Sequence, residues 1–455
     1  MSDPKPIATI DSIAWGKVFH FHKMVTAAVS AMQPQRLIIG LLLVASIMFC
    51  GSIWDLIWPS TVSPAGLNAG AATVADIESY QNAAERFDQM QDRDGVQLTE
   101  ALGRLELMRP KGSFEASQTF IVEQFQSLVQ TTRSLNFVGM GSALVDMIYG
   151  LPTKLWMAGQ YWFTVLFGII FFILISLGGG ALSRTAACQL AGVTTPSVLR
   201  SFAFSIAFVG RLFSALVGPL ALALIFCFLI SLIGLLFLVP VLDVIGGIVF
   251  GVSLVLSFLA TWCLLGYLFG FPLLIPAVTC EAADGFDAMQ RAYSYIASRP
   301  IHMLCYYAVG LIGLLVGFIA VGLIATFMVN IAVSWSSLGG SFYGTADAPV
   351  AFSIFSDSWS LYQLGVGQEA VLEANLFSEW TASALSFWIK LVLWLVSAWA
   401  FSFFFSASTT MYLLMRRASD GQDFSAIWQP GMVPGTYATL TSEQIPAEEK
   451  TTTEV

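Results

Sequence analysis

Few residues in this chain combine a reactive type with a useful spacing. His20 and His22 flank Phe21, and the only other histidine is His302. Residues two apart point to different sides of a helix, and two ligands do not make a site. The pair therefore reads as interfacial polar residues, with no metal expected. No H-E-x-x-H, G-x-S-x-G or G-x-x-x-x-G-K run occurs, so no catalytic set and no cofactor are predicted. Gly178-Gly179-Gly180 lacks the lysine and the strand–turn–helix setting of a phosphate loop. It reads instead as a place where helices or lipid approach the backbone closely. Cys50, Cys188, Cys227, Cys263, Cys280 and Cys305 lie in or beside apolar runs without C-x-x-C spacing, which argues for packing instead of a disulfide framework or zinc.

Charge within apolar runs is the better marker in such a chain. Lys390, in Ser386-Phe-Trp-Ile-Lys390-Leu-Val-Leu-Trp, is the clearest case. It lies close enough to a run's end to snorkel, and an intramembrane polar site formed with Asp243 is the functional reading. Asp55 and Asp243 fall at interfaces, and Asn330 suits a bond between helices. A second cluster comprises Arg184, Arg200, Glu281 and Arg291. Two readings stand: an ion pair that fixes two segments together, or arginines that meet anionic lipid headgroups.

The elements that would position these groups follow from composition. Of 455 residues, 56% are hydrophobic and 11% charged, against about 25% charged in a soluble domain; mean hydropathy is +0.76. The apolar residues form runs of about 20, the length that crosses a bilayer core as a helix. Barrel strands would alternate polar and apolar residues. The expected fold is all-α, a polytopic helical membrane protein with about six transmembrane helices, an N-terminal interfacial helix and an extracytoplasmic helical insertion. A net charge of −9 without a basic patch argues against a nucleic-acid partner.

The chain divides into seven segments. Residues 1–36 are an amphipathic segment, with Ile10, Ala14, Val18, Phe21, Val25, Ala28 and Met32 on one stripe and Pro34 as a break. Residues 37–58 hold the first span. Residues 59–156 form the insertion, with stripes at Ile77, Tyr80, Ala84 and Phe87, at Leu98, Leu102 and Leu105, and at Ile121, Phe125 and Leu128. It packs on itself or on the membrane face. Residues 157–333 hold four spans, about 161–177, 215–239, 245–274 and 303–328, the first ended by Gly178–Gly180. Residues 334–381 form an acidic loop, 382–417 the last span, with its apolar run at about 385–406 and Arg416 and Arg417 shortly after that run, and 418–455 a tail expected to be disordered. Outside the long insertion, whose mixed charge is no objection because long segments obey the rule poorly, Lys and Arg gather in alternate connections, which places both termini in the cytoplasm.

Two basic segments are alike. Pro196-Ser-Val-Leu-Arg200-Ser-Phe-Ala-Phe204 and Phe286-Asp-Ala-Met-Gln-Arg291-Ala-Tyr-Ser-Tyr295 share arginine, small residue, aromatic, small residue, aromatic. Each follows one apolar run and precedes another, which suggests a duplicated unit. A fainter third copy begins at Arg416-Arg417. Pro276, Glu281, Gly285, Ala288 and Arg291 occupy a pattern that resembles a hairpin of several bacterial membrane families. It is also similar to the membrane domain fused to some glycerophosphodiester phosphodiesterases, with Ala292 in place of the usual serine. The likeness covers about residues 178–322. The overall layout, with its N-terminal amphipathic helix and Arg416-Arg417-Ala-Ser-Asp-Gly end, looks most like planctomycete membrane proteins. It implies an architecture and no reaction, since the phosphodiesterase's catalytic residues lie in a soluble domain absent here. The expected function is that of a non-enzymatic inner-membrane scaffold that binds lipid, and a protein partner through residues 59–156. The alternative is a transporter or permease for a lipid-like or neutral substrate.

Overall fold

A computed structural model describes residues 21–88, 104–105, 107–134, 136–238, 242–343, 376–433 and 435. Among these, every regular element is helical, and Val62 makes isolated β-bridges to Ala71 and Lys111. Helix α1 (Phe21–Ala31) is followed by α2 (Pro34–Ile57). Pro34 makes the break and then serves as the first residue of the new helix, where its missing N–H costs nothing. The insertion contains α3 (Val74–Asp88), α4 (Ser113–Arg133), α5 (Phe137–Val145), a π-helical turn at Asp146–Gly150, and α6 (Leu151–Met157). The stripe through Leu98 and Leu102 lies outside the described residues, as do His20 and the loop from 344 to 375.

The remaining helices are α7 (Gly168–Leu190, entered through a π-helical turn at Phe163–Phe167), α8 (Val198–Ala207), α9 (Val209–Gly234), α10 (Leu242–Glu281), α11 (Gly285–Ser298), α12 (Pro300–Tyr343) and α13 (Leu376–Asp420). Six helices are long and apolar enough to cross a membrane. In the most apolar stretch of Val209–Leu238 only 6% of residues are buried in protein, so lipid must cover the rest. At 1.5 Å per residue α10 is about 60 Å long, roughly twice the hydrocarbon thickness. The expected spans were therefore right in number and short at their ends.

Three expectations are corrected. Gly178–Gly180 do not end a span; α7 runs through them. A Cβ on Gly179 would overlap the Phe405 ring, and one on Gly180 would sit 2.7 Å from Leu212 Cδ1. The glycines let neighbours approach α7, the alternative that the sequence also carried. The last span's helix does not stop before Arg416; α13 continues to Asp420, so the faint third repeat begins inside its final turns and runs past its end. The tail is placed as far as Val433, and again at Gly435, with Phe424, Ile427 and Trp428 buried.

Compactness divides the chain into two units. One contains residues up to Ile39, Ile175–Val316 and Trp399 onward; the other contains Gly40–Leu174 and Gly317–Ala398. In the first, α9 packs along α10, and α11 packs on both. Gly285 opens α11 so close to α9 that a Cβ would lie 2.7 Å from Ala215 N. The order α7–α8–α9 and α10–α11–α12 places each similar basic segment in a short helix between two spans. In the second unit, Asp55 near the end of α2 accepts from the N–H groups of Phe114 and Glu115, each at 2.9 Å. This caps α4, whose first N–H groups lack helical partners, and fastens the insertion to the first span.

Candidate functional site

The dominant feature of the first unit is the carboxyl end of α10. A helix leaves its last carbonyls unpaired, and Ala282 ends this one in the left-handed region, φ +51°. The carbonyls are met from elsewhere. Arg184 Nη1 on α7 donates to Thr279 O at 2.9 Å, and Arg211 Nη1 on α9 to Ala282 O at 2.7 Å. From the tail, Trp428 N donates to Cys280 O at 2.6 Å and Gly435 N to Glu281 O at 2.9 Å. Two guanidinium groups at a helix C-terminus also suit its negative end. The Trp428 ring packs against Phe208, with Arg184 over Phe204 at 4.8 Å.

Glu281 is 2% exposed. Its Oε1 accepts from Tyr412 Oη at 2.6 Å and from Arg416 Nη1 at 3.4 Å, and its Oε2 pairs with Arg291. Arg291 Nε also reaches Asp287 at 3.1 Å. Two carboxylates thus face two guanidinium groups, the condition under which buried charge is tolerated. Burial works against the Arg291 charge, but the Asp287 bonds and the Glu281 carboxylate outweigh it and raise the group above its ordinary range. Tyr295 on α11 donates to Asp420 Oδ2 at 2.5 Å. Burial first, then that bond and the Glu281 charge, push the Tyr295 hydroxyl well above its ordinary value.

Arg36 is also buried, yet it faces no acid. It donates to Ser30 Oγ at 2.8 Å, Ser406 Oγ at 2.9 Å and Gln189 Oε1. Ser30 and Gln189 lie in the last turns of α1 and α7, so two helix C-termini supply the negative potential. A cleft of about 420 Å³ opens between α11 and α13, lined by Ser298, Arg299, Pro300, Ile301, His302 and Ser419.

The sequence-predicted cluster is therefore redistributed. Glu281 and Arg291 meet across the turn between α10 and α11. Arg184 touches the same helix end through a carbonyl, not through the carboxylate. Arg200 is exposed, with its backbone N–H at the start of α8. The four do not form a single lipid-facing patch, because two of the arginines are engaged within the protein. Lys390 is exposed, and exposed Asp243 accepts from Val244 N at 2.8 Å. They belong to different compact units. Tyr412, Arg416 and Arg36 were missed. The apolar run Met411-Tyr-Leu-Leu-Met415 was the signal that the last span continues to Arg416. Among the described residues no group of three or more His, Cys, Asp or Glu is arranged to hold a metal ion.

Fold and site define an all-α polytopic membrane protein. No protein-family model matches the chain, and no curated protein or solved structure matches it.

Proposed function

We propose that this chain is a non-enzymatic scaffold of the cytoplasmic membrane that binds lipid and a protein partner, with both termini in the cytoplasm. One observation carries the reading. The strongest cluster of charge, around Glu281, is engaged in joining α10, α11 and α13, with two guanidinium groups and a hydroxyl closing on one carboxylate. Such an arrangement stabilises one packing and presents no nucleophile or general base. Function then falls to surfaces, of which the insertion is the largest built outside the spans. The resemblance of residues 178–322 to a membrane hairpin supports the same reading, since it carries architecture and no reaction. Outside the long insertion, which carries five arginines of its own and obeys the rule poorly by its length, arginines concentrate at 184–211, 291–299 and 416–417, which supports the orientation.

The test is in-cell crosslinking with full-length protein and with a variant lacking residues 65–150. A fluorescent protein at the C-terminus, which matures only in the cytoplasm, reports insertion and orientation. A crosslinked partner should disappear in the variant while fluorescence persists. An unchanged crosslinking pattern counts against the scaffold reading, and a dark fusion counts against the orientation.

A second reading, transport of a lipid-like or neutral substrate, draws on the repeated order of span, short helix and span. Protein-dependent movement of fluorescent lipid between leaflets of proteoliposomes would favour it.

A further inference from the structure

The stretch from Asn136 to Trp162 joins the insertion to α7, and its surface is unlike that of a water-soluble helix pair. Val138 is 84% exposed, Met157 84% and Trp162 75%, with Val145, Trp156 and Tyr161 about half exposed. Only Asp146 and Lys154 are charged. Lys154 is half-buried and engaged at the surface, donating to exposed Asn68 Oδ1 at 2.5 Å and lying over the Phe120 ring. On α5, Val138 and Val145 share a face, and Asp146 falls about 80° round from Val138 at 100° per residue, on the flank of that face.

This apolar surface continues into one already assigned to lipid. Trp162 directly precedes the span, whose Val165, Leu166, Ile169 and Ile170 are exposed. The end of α2 lies beside it, with Trp54 5.5 Å from Phe163 and 4.6 Å from Trp58. Trp156 and Tyr161 pack edge to face at 4.7 Å. Five aromatic residues, Trp54, Trp58, Trp156, Tyr161 and Trp162, thus gather where two spans leave the membrane, the depth at which such amphipathic rings sit. A contiguous apolar patch in water would be a liability; at the headgroup boundary it is buried.

We infer that α5 and α6 lie in the membrane interface, with Val138, Val145 and Met157 among the acyl chains, so that phospholipid covers this face of the insertion. The inference stands whether or not the rest of the insertion binds a partner. α3, with polar residues throughout and its N-terminus closed by the Thr73–Asp76 pair, belongs to the aqueous part.

The test uses full-length protein with its native cysteines replaced by alanine, in nanodiscs of phosphatidylcholine and phosphatidylglycerol. Nitroxide labels go on Val138→Cys, on Met157→Cys and, as the aqueous reference, on Glu78→Cys. All three positions are exposed, so labelling leaves packing intact. The expected result is that oxygen relaxes the labels at 138 and 157 severalfold more, relative to a water-soluble nickel chelate, than the label at 78. If the two positions behave like 78, they face water and the inference is overturned. If both reagents are excluded there, protein and not lipid covers the face, which also overturns it.

Discussion

Tyr412 donates its hydroxyl to Glu281 Oε1 at 2.6 Å, across 131 positions of chain. The bond joins the end of α10 to α13, and Arg416, one helical turn beyond Tyr412, approaches the same oxygen. Removing one partner of a buried pair leaves the other charge uncompensated. Glu281→Gln should therefore lower stability in detergent by about 3–5 kcal/mol. Tyr412→Phe, which removes only a hydroxyl, should cost about 1–3 kcal/mol. Thermal unfolding of the purified variants measures both; equal effects would mean that the arginines do not depend on Glu281.

Tyr295 gives a pH dependence. Its folded-state value lies above the ordinary 10.0 because of burial and the Asp420 bond. Above that ordinary value the unfolded chain releases the proton while the folded chain keeps it. The stability it contributes is complete below about pH 10 and is lost as pH rises further. The gap in apparent Tm between wild type and Tyr295→Phe should narrow from about pH 8 to about pH 11. A gap that holds constant would show that the hydroxyl is not selectively held neutral.

Asp55 caps α4 from the end of α2. Asp55→Ala should cost about 0.5–2 kcal/mol, in line with the loss of an N-cap. The loss should be local, appearing as faster protease cleavage before Ser113 with the spans intact. Unchanged cleavage would assign the bond no anchoring role.

Gly179 sits against Phe405 with no room for a methyl group. Gly179→Ala should destabilise by about 1–3 kcal/mol through overpacking. Phe405→Leu combined with it should recover part of the loss, because the two changes share one contact. Additive losses would locate the strain elsewhere.

The number of spans was legible because a bilayer imposes one length on any helix that crosses it, and runs such as Leu37–Ile57 display that length openly. Helix ends were not legible. The fourth span is expected to end near Leu274, yet the helix continues to Glu281 through Pro272 and Pro276, which would interrupt a water-soluble helix. Within packed membrane helices neighbouring groups satisfy the freed carbonyls, and α10 passes through both. Arg416 was read as a flanking charge for a related reason. An arginine after an apolar run ordinarily marks the interface; here the distant Glu281 carboxylate and the Asp423 carbonyl receive the buried guanidinium. Glu281 and Arg291 were singled out, but the ion pair was expected between their hairpin and the Arg184–Arg200 segment; the structure pairs the two with each other, ten positions apart around one turn. Tyr412 was hidden by its separation in sequence.

Removal of the tail after Asp423 should expose the end of α10. Cys280 is 0% exposed, and its carbonyl accepts from Trp428 N. Truncation, or Trp428→Ala with Ile427→Ala, should make this thiol accessible to maleimide in folded protein, where the wild type is protected. Labelling is compared in variants whose other cysteines are replaced; continued protection after truncation would show that α11 and α13 suffice as cover.

The tail's attachment to α10 also sets an order of events during synthesis. The carbonyls of Cys280 and Glu281 are made before α11, α12 and α13, yet the donors that close them, at Trp428 and Gly435, leave the ribosome only after all three. Until then the Cys280 and Glu281 carbonyls of α10 stay open, although Arg184, Arg211 and Arg291 are already in place, and the Glu281 carboxylate waits for Tyr412 and Arg416. Completion of the first unit is therefore a late, single event that follows insertion of every span. A chain arrested before its tail would carry six inserted helices and an unsealed core, a state that quality-control proteases can recognise.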